Sequence, residues 1–326
     1  MIEFLLFVKK LTFKKTVNFF VRSFCILLTR CTKKVKINAM PWSYSIEPTN
    51  CCNLKCRECA SGLGLLKRRK GNISLENFRL AADEIAPYAL NCFLYFQGEP
   101  FLNKDFFEMV KYAHSKKIFL ATSTNGHFIT AETAEKTVLS GLDKIIVSLD
   151  GFNQESYGAY RKNGDFQKVI DAIRHLSEAK KKFGKKNPVI EVQTIVNKIN
   201  ENHLQEIRTL ALKAGADKFY LKTMQIENAE DFSVFKTSIE KYSRYDKNNR
   251  LKHQVGFCAR ILNSAVITVD LDVVPCCYDK DAAFSLGKIS QNNLKEIIHS
   301  KKAVSFYQQI EFQRDNRPQM CENCGG

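Results

Sequence analysis

Ser45-Ile46-Glu47-Pro48-Thr49-Asn50-Cys51-Cys52-Asn53-Leu54-Lys55-Cys56-Arg57-Glu58-Cys59 sets three cysteines, Cys52, Cys56 and Cys59, in a C-x3-C-x2-C spacing directly after an extended segment. Three thiolates on one short loop can hold three corners of a cubane 4Fe-4S cluster, because such clusters are held by Cys thiolates. The fourth iron is then open to a ligand that is not protein. Tetrahedral zinc is the alternative, since its Cys ligands also sit two to four residues apart. Cys51 falls outside the spacing and reads as a bystander.

Outward from this loop, strand-like and helix-like runs alternate between Trp42 and Thr223. Strands are expected at 44–47, 92–96, 118–123, 144–149, 189–196 and 218–222. Helices are expected near 75–90, 104–116, 131–140, 166–183 and 201–214, with Ser74, Asn103, Thr130, Asp165 and Asn200 as N-caps. Near-continuous apolar strands separated by amphipathic helices imply parallel βα units. The expected fold is α/β, a partial (β/α)6 TIM-like barrel over 42–223 with its polar motifs at the C-terminal mouth. Residues 224–257 read as a connector and 258–326 as a small α+β domain.

Three motifs fall at strand ends: Gln97-Gly98-Glu99-Pro100, Thr122-Ser123-Thr124-Asn125-Gly126-His127, and Ser148-Leu149-Asp150-Gly151, with Arg161 thirteen positions beyond Ser148. Glycine lets backbone approach a ligand closely, and Asn-Gly favours a tight turn. Asp150 reads as a loop cap and His127 as a loop histidine. Gln193, Thr194, Lys222 and Thr223 end the last two strands, where side chains would point into the barrel or form a solvated rim. The tail holds Cys258, Cys276, Cys321 and Cys324 as C-x17-C-x44-C-x2-C, around an expected hairpin turning near Asp270–Asp272 and a helix near 291–302. Cys277 competes with Cys276, and structural zinc again competes with a cluster. Cys25, Cys31 and Cys92 read as ordinary small apolar residues.

The cysteine loop and the strand-end motifs resemble the radical S-adenosylmethionine (SAM) superfamily. The tail resembles its SPASM/Twitch auxiliary-cluster domain, so the resemblance covers roughly residues 42–326. It implies that Cys52, Cys56 and Cys59 hold a 4Fe-4S cluster whose open iron is chelated by SAM. It also implies that Gly98, Glu99 and Pro100 belong to the SAM site, with Glu99 accepting from the SAM ammonium, and that Ser123, Asn125 and Ser148 border it. Arg161 is placed on the SAM carboxylate, where a guanidinium fork is well suited. Cys258, Cys276, Cys321 and Cys324 would hold one auxiliary 4Fe-4S cluster, with Cys276 favoured over Cys277 by its match to the family's Pro-Cys. Gln97 stands where the family has Gly, and Glu58 where it usually has an apolar residue. The implied activity is reductive cleavage of SAM followed by hydrogen abstraction. The expected substrate is a glycan, cell-envelope or sugar-like molecule, which would make the enzyme an oxidoreductase. A peptide- or protein-modifying maturase is the first alternative, and a non-catalytic, metal-stapled, membrane-associated module the second.

Composition narrows the setting. The 326 residues carry a net charge of +16, and nine Lys or Arg against one acid, Glu3, lie within residues 1–36. There Phe13, Val17, Phe20, Val21, Phe24, Leu27 and Leu28 recur at helical spacing, with Lys14, Asn18 and Arg22 on another face, so 1–38 reads as a basic amphipathic helical segment. Its apolar runs fall far short of the ~20 residues that span a bilayer. It could lie on an anionic membrane surface, pack across the barrel bottom with its lysines in solvent, or serve as a targeting peptide. Twelve cysteines without a secretory signal point to a reducing cytoplasm, peripheral to the inner membrane face if the helix binds lipid. The basic chain could receive a small acidic electron donor such as flavodoxin or ferredoxin. No nucleic-acid recognition motif accompanies the charge.

Overall fold

The computed structural model describes residues 2–325. Two helices, α1 (Ile2–Val8) and α2 (Phe13–Thr32), precede an alternating series: β1 (Ser43–Ile46), α3 (Leu75–Ile85), β2 (Asn91–Phe93), α4 (Phe106–Ser115), β3 (Phe119–Thr124), α5 (Ala131–Leu139), β4 (Lys144–Ser148), α6 (Gln154–Tyr160), α7 (Phe166–Lys182), β5 (Val189–Val196), α8 (Leu204–Ala214) and β6 (Lys218–Thr223). A connector with the short α9 (Asp231–Phe235) leads to α10 (Ala259–Asn263), β7 (Ser264–Ile267), β8 (Asp272–Val274), β9 (Gly287–Lys288), α11 (Leu294–His299) and α12 (Lys301–Phe312). The strands form one sheet in the order β6-β5-β4-β3-β2-β1-β7-β8-β9. Its parallel part is a partial barrel.

The strands read as apolar runs because helices cover them. Ile145, Val147, Ile190 and Val192 are fully buried beneath Ile173 and Leu176 of α7 in one core, and β-branched side chains suit that pleated surface. Ser74, Thr130 and Asp165 cap α3, α5 and α7, each accepting a backbone N–H three residues on. Asn103 and Asn200 do not cap helices. Asn103 is buried and its amide donates to the carbonyls of Pro48 and Ile73, at 2.7 and 3.0 Å. The Asn200 amide donates to Asp150 and Ile195 carbonyls, at 2.8 and 2.9 Å. Both side chains satisfy carbonyls at strand ends and in loops that burial cuts off from water. The second strand is shorter than expected: after Leu94 donates to the Ala121 carbonyl at 2.7 Å, Tyr95 and Phe96 leave the ladder.

α2 is amphipathic as its spacing predicts, but inverted. Its polar stripe, Lys15, Asn18, Arg22 and Thr29 with Cys25, is buried, while Phe13, Phe20, Phe24 and Leu27 face outward. Asn18 makes a reciprocal pair with the Met40 backbone, at 3.0 and 2.9 Å. Arg22 donates from Nε to the Leu262 carbonyl at 2.5 Å and from Nη1 to the Ala39 carbonyl at 2.7 Å. Lys15 donates to the Lys117 carbonyl, and Lys10 reaches His114 Nδ1 at 2.9 Å and Asp143 at 3.5 Å. These partners lie just before β1, β3, β4 and β7, so the segment crosses the barrel's N-terminal end. α1 docks there too, with Glu3 paired to Lys144 and Lys218 and Phe7 edge-on to Phe119.

The tail continues the barrel sheet. β7 pairs parallel with β1, Ser43 opposite Ser264 through Ile46 opposite Ile267, and then turns into the expected hairpin with β8. The single helix expected near 291–302 is two, because Ser300 ends α11 and caps α12. The connector builds a small core of its own from Met224, Ile226, Phe235 and Tyr245 against Tyr160.

Candidate active site

At the C-terminal ends of the strands, Cys52, Cys56 and Cys59 open onto one cavity of about 180 Å³. Gly98, Glu99, Ser123, Asn125, Ser148 and Arg161 line the same cavity. Nine positions separated by up to 109 residues in sequence, from Cys52 to Arg161, are thereby brought together around one cavity. Pro100 is not among the lining residues. It is buried as the first residue of a 3-10 turn for which Glu99 is the cap.

Gly98, which lines the cavity, is also required by the loop. At φ +76°, its position would put a Cβ 2.6 Å from the carbonyl oxygens of both Thr49 and Cys51, so only glycine lets the cysteine loop close here. Glu99, 2 % exposed, accepts from Thr124 Oγ1 at 2.8 Å and Phe101 N at 3.3 Å on one oxygen, and from Asn125 N at 2.7 Å on the other. Burial pushes its carboxyl up to about 7, offset in part by these bonds. A carboxylate has about four acceptor positions, so one is left for a further donor. Asn125 also donates to Asn53 Oδ1 at 2.8 Å, tying the strand end to the loop.

Arg161 is fixed on two sides. Nε donates to Asp150 Oδ2 at 2.6 Å and Nη1 lies 3.7 Å from Cys56 Sγ. Asp150 in turn accepts Ile195 N at 2.6 Å, so it positions the guanidinium. Burial raises the Cys56 thiol and the nearby Arg161 charge opposes that rise; burial brings Cys52 to about 11. His127 is a loop residue: Nδ1 meets the Asn125 carbonyl at 3.0 Å and Nε2 accepts Asp165 N at 2.7 Å.

Register sorts the remaining strand-end residues. Ser148 pairs with Gln193, Gln193 with Tyr220, and Ile195 with Lys222. Gln193 and Lys222 therefore share the inner face with Ser148, because side chains alternate along a strand. Thr194 points the other way and donates to the Leu149 carbonyl at 2.5 Å, and Thr223 shares its parity. Sequence reasoning missed Tyr95 and Phe96, which line the cavity; their aromatic run looked like strand. It also missed Arg68, whose two terminal nitrogens donate to the two oxygens of fully buried Glu47, each at 2.8 Å. Glu58, at φ +62°, accepts from Glu227 N at 2.7 Å and Asn228 N at 3.2 Å, holding the connector beside the cysteine loop.

A second, largely apolar cavity is lined by Cys258, Cys276, Cys321 and Cys324 together with Ile261, Ile310 and Met320. Cys277 is not in it; its sulfur sits 3.7 Å from Arg260 Nη1. Cys25 and Cys92 are buried, whereas Cys31 is exposed. Among the described residues no three Cys, His, Asp or Glu side chains are drawn tightly enough together to grip one metal ion. The donor chemistry of both cavities fits iron–sulfur clusters. Three sulfurs share the first with a buried carboxylate and a guanidinium, and four sulfurs ring the second. Thiols raised by burial become ligands only as thiolates, so metal binding would release their protons to solvent.

The comparisons with known proteins agree. The family model described as the Radical SAM superfamily matches residues 46–211, and one described as an iron-sulfur cluster-binding domain matches 258–325. Mycofactocin maturase MftC of Mycolicibacterium smegmatis is 33% identical over 170 residues, 52% of this chain and 41% of that protein. AdoMet-dependent heme synthase of Methanosarcina barkeri is 27% identical over 176 residues, 54% of this chain and 48% of that protein. The matched segment thus spans under half the length of these relatives. Among solved structures, Streptococcus suis SuiB bound to S-adenosylmethionine superposes with a TM-score of 0.64 at 14% identity, covering 93% of this chain and 76% of that one.

Proposed function

Because this chain belongs to the radical SAM superfamily, we propose that it cleaves SAM reductively and abstracts a hydrogen atom from a peptide substrate. The observation that carries the chemistry is the convergence of Cys52, Cys56 and Cys59 with Glu99, Ser148 and Arg161 on one cavity. A metal staple would need the cysteines alone, so the non-catalytic reading leaves the other three unexplained. The superfamily's cofactors are a 4Fe-4S cluster with SAM and, for the tail domain, an auxiliary cluster.

In this reading Cys52, Cys56 and Cys59 hold the first cluster, and Cys258, Cys276, Cys321 and Cys324 the second. Bound there, the first cluster with SAM would supply the one-electron reductive cleavage and hydrogen-atom abstraction, chemistry that belongs to the cofactors rather than to the side chains. Glu99 offers its free acceptor position to the SAM ammonium, whose charge would offset the cost of burying the carboxylate. Arg161, steered by Asp150, directs its remaining donors at the SAM carboxylate. Ser123 and Ser148 supply hydroxyls at the cavity wall. Tyr95 and Phe96 line it with aromatic surface that keeps water from the reacting centre.

A peptide is favoured over the glycan or sugar-like substrate expected from sequence. MftC is named a maturase, and SuiB has also been solved bound to its precursor peptide SuiA. The sugar reading leaned on the Twitch-like tail as well as on the basic N-terminal helix, and that helix lies at the opposite end of the barrel from the cavity. A small acidic flavodoxin or ferredoxin is the proposed reductant. The test is anaerobic incubation of the reconstituted protein with SAM and dithionite, following 5′-deoxyadenosine, with panels of short synthetic peptides and of sugars and cyclitols. Stimulation and a product mass change with a peptide support the proposal. Turnover with sugars alone would return the reading to an oxidase of sugar-like alcohols.

A further inference from the structure

We propose that residues 2–36 form a docking face for an anionic lipid bilayer, which holds the barrel with its cavity turned toward water. Among the described residues, eleven of the eighteen exposed large apolar side chains fall within residues 2–27. They include Phe4 at 67%, Phe13 at 86% and Phe20 at 65% exposure. An apolar face of this density on a folded chain marks an interaction surface.

The face cannot satisfy itself by rolling over. Lys15, Asn18, Arg22 and Thr29 are bonded to backbone groups beneath the helix, so turning Phe20 inward would break several charge-assisted hydrogen bonds to buried carbonyls. The polar stripe clamps the helix to the barrel and aims the aromatic stripe outward.

Charge selects the occupant. Lys9, Lys14, Arg30, Lys33, Lys34 and Lys36 are exposed around the apolar stripe. The one acid of the segment, Glu3, is turned inward onto Lys144 and Lys218. A Phe- and Leu-rich face bordered by cations alone is what an interfacial helix presents to anionic lipid, each basic residue near the surface adding about 1 kcal/mol. A second copy of this chain would bring the same cations against themselves. Among the described residues no helix is long and apolar enough to cross a membrane, so the face lies on the bilayer.

Orientation follows from the strands. The clamp partners precede β1, β3, β4 and β7, whereas the cysteine cavity lies beyond the strands' far ends. β5 alone is eight residues, which at ~3.3 Å per residue separates the two ends by roughly 25 Å. Substrate and reductant therefore arrive from the aqueous side.

The test is sedimentation of the full, cluster-loaded protein with phosphatidylcholine vesicles and with vesicles containing 30 mol% phosphatidylglycerol, at about 0.1 and 0.5 M salt. Binding to the anionic vesicles should exceed binding to the neutral ones at least about tenfold and weaken in high salt. Phe13→Ser/Phe20→Ser/Phe24→Ser and Lys33→Glu/Lys34→Glu/Lys36→Glu should each lose it, with iron content and circular dichroism unchanged because these side chains touch solvent. Equal binding to both vesicle types, or none, overturns the proposal. So does a dimer in size-exclusion chromatography that the Phe variant dissociates without any vesicle binding. Because the readout is sedimentation, it is independent of the assigned chemistry.

Discussion

Asp150→Asn isolates the link between the barrel and the cysteine loop. Asp150 accepts Ile195 N with one oxygen and Arg161 Nε with the other. An asparagine keeps the shape but owns a single carbonyl oxygen, so in either amide orientation one contact becomes donor facing donor. The buried Arg161 charge also loses its counter-ion. Breaking a buried ion pair from one side costs about 3–5 kcal/mol. For 326 residues with an unfolding entropy of about 2.1 cal/mol/K per residue, that lowers Tm by about 4–7 °C. A guanidinium displaced by one charge-assisted bond, about 1.5–3 kcal/mol, should also cut 5′-deoxyadenosine formation at least tenfold. The assay is anaerobic thermal unfolding of the cluster-free protein alongside product formation by the loaded enzyme. The double variant Asp150→Asn/Arg161→Gln removes both charges and should recover part of the stability but none of the activity. A single variant within about 1 °C of wild type, or a double variant whose losses simply add, would refute the coupling.

Gly98→Ala forces a Cβ between the Thr49 and Cys51 carbonyls at a positive φ; it should lower stability by roughly 2–5 kcal/mol and impair iron uptake by the first site, read from urea unfolding and iron content. Glu99 should make the cluster-free protein less stable as pH rises: its folded value of about 7 against 4.5 gives stability fully present below pH 4.5 and lost by about pH 7, about 3 kcal/mol in all. Glu99→Gln should lose that component of the slope in urea titrations while binding SAM more weakly at pH 8, and wild-type and variant curves that run parallel would sink the assignment. Cys276→Ser should drop iron from about eight to about four per chain, whereas Cys277→Ser should leave it unchanged.

The barrel strands and three helix starts were legible because they depend on local rules: apolar runs buried on both faces, and a Ser, Thr or Asp ahead of a periodic segment. The constellation was legible through spacing at Cys52, Cys56 and Cys59, through the strand-end positions of Glu99 and Ser148, and through the offset of Arg161 from Ser148. Periodicity revealed two faces on α2 without saying which one turns inward, because that depends on the carbonyls of Met40, Lys117 and Leu262 at distant strand starts. Tyr95 and Phe96 carry the same aromatic signal whether they continue a strand or leave it. Asn103 and Asn200 have the right residue type for caps, but their side-chain oxygens accept from Asp105 N and Asn197 N instead, and the helices begin later, at Phe106 and Leu204.

The pairing of β1 with β7 also sets a timetable for biosynthesis. Ser43 meets Ser264, about 220 residues later, and at roughly 5–20 residues per second the ribosome takes about 10–45 s to deliver that partner. Throughout that interval one flank of β1 is an unsatisfied strand edge, a template for association with other nascent chains. Arg22 waits equally long for the Leu262 carbonyl. Truncations before residue 264 should therefore aggregate rather than yield an isolated barrel, and recombinant yield should depend on chaperones that shelter this edge until the tail emerges.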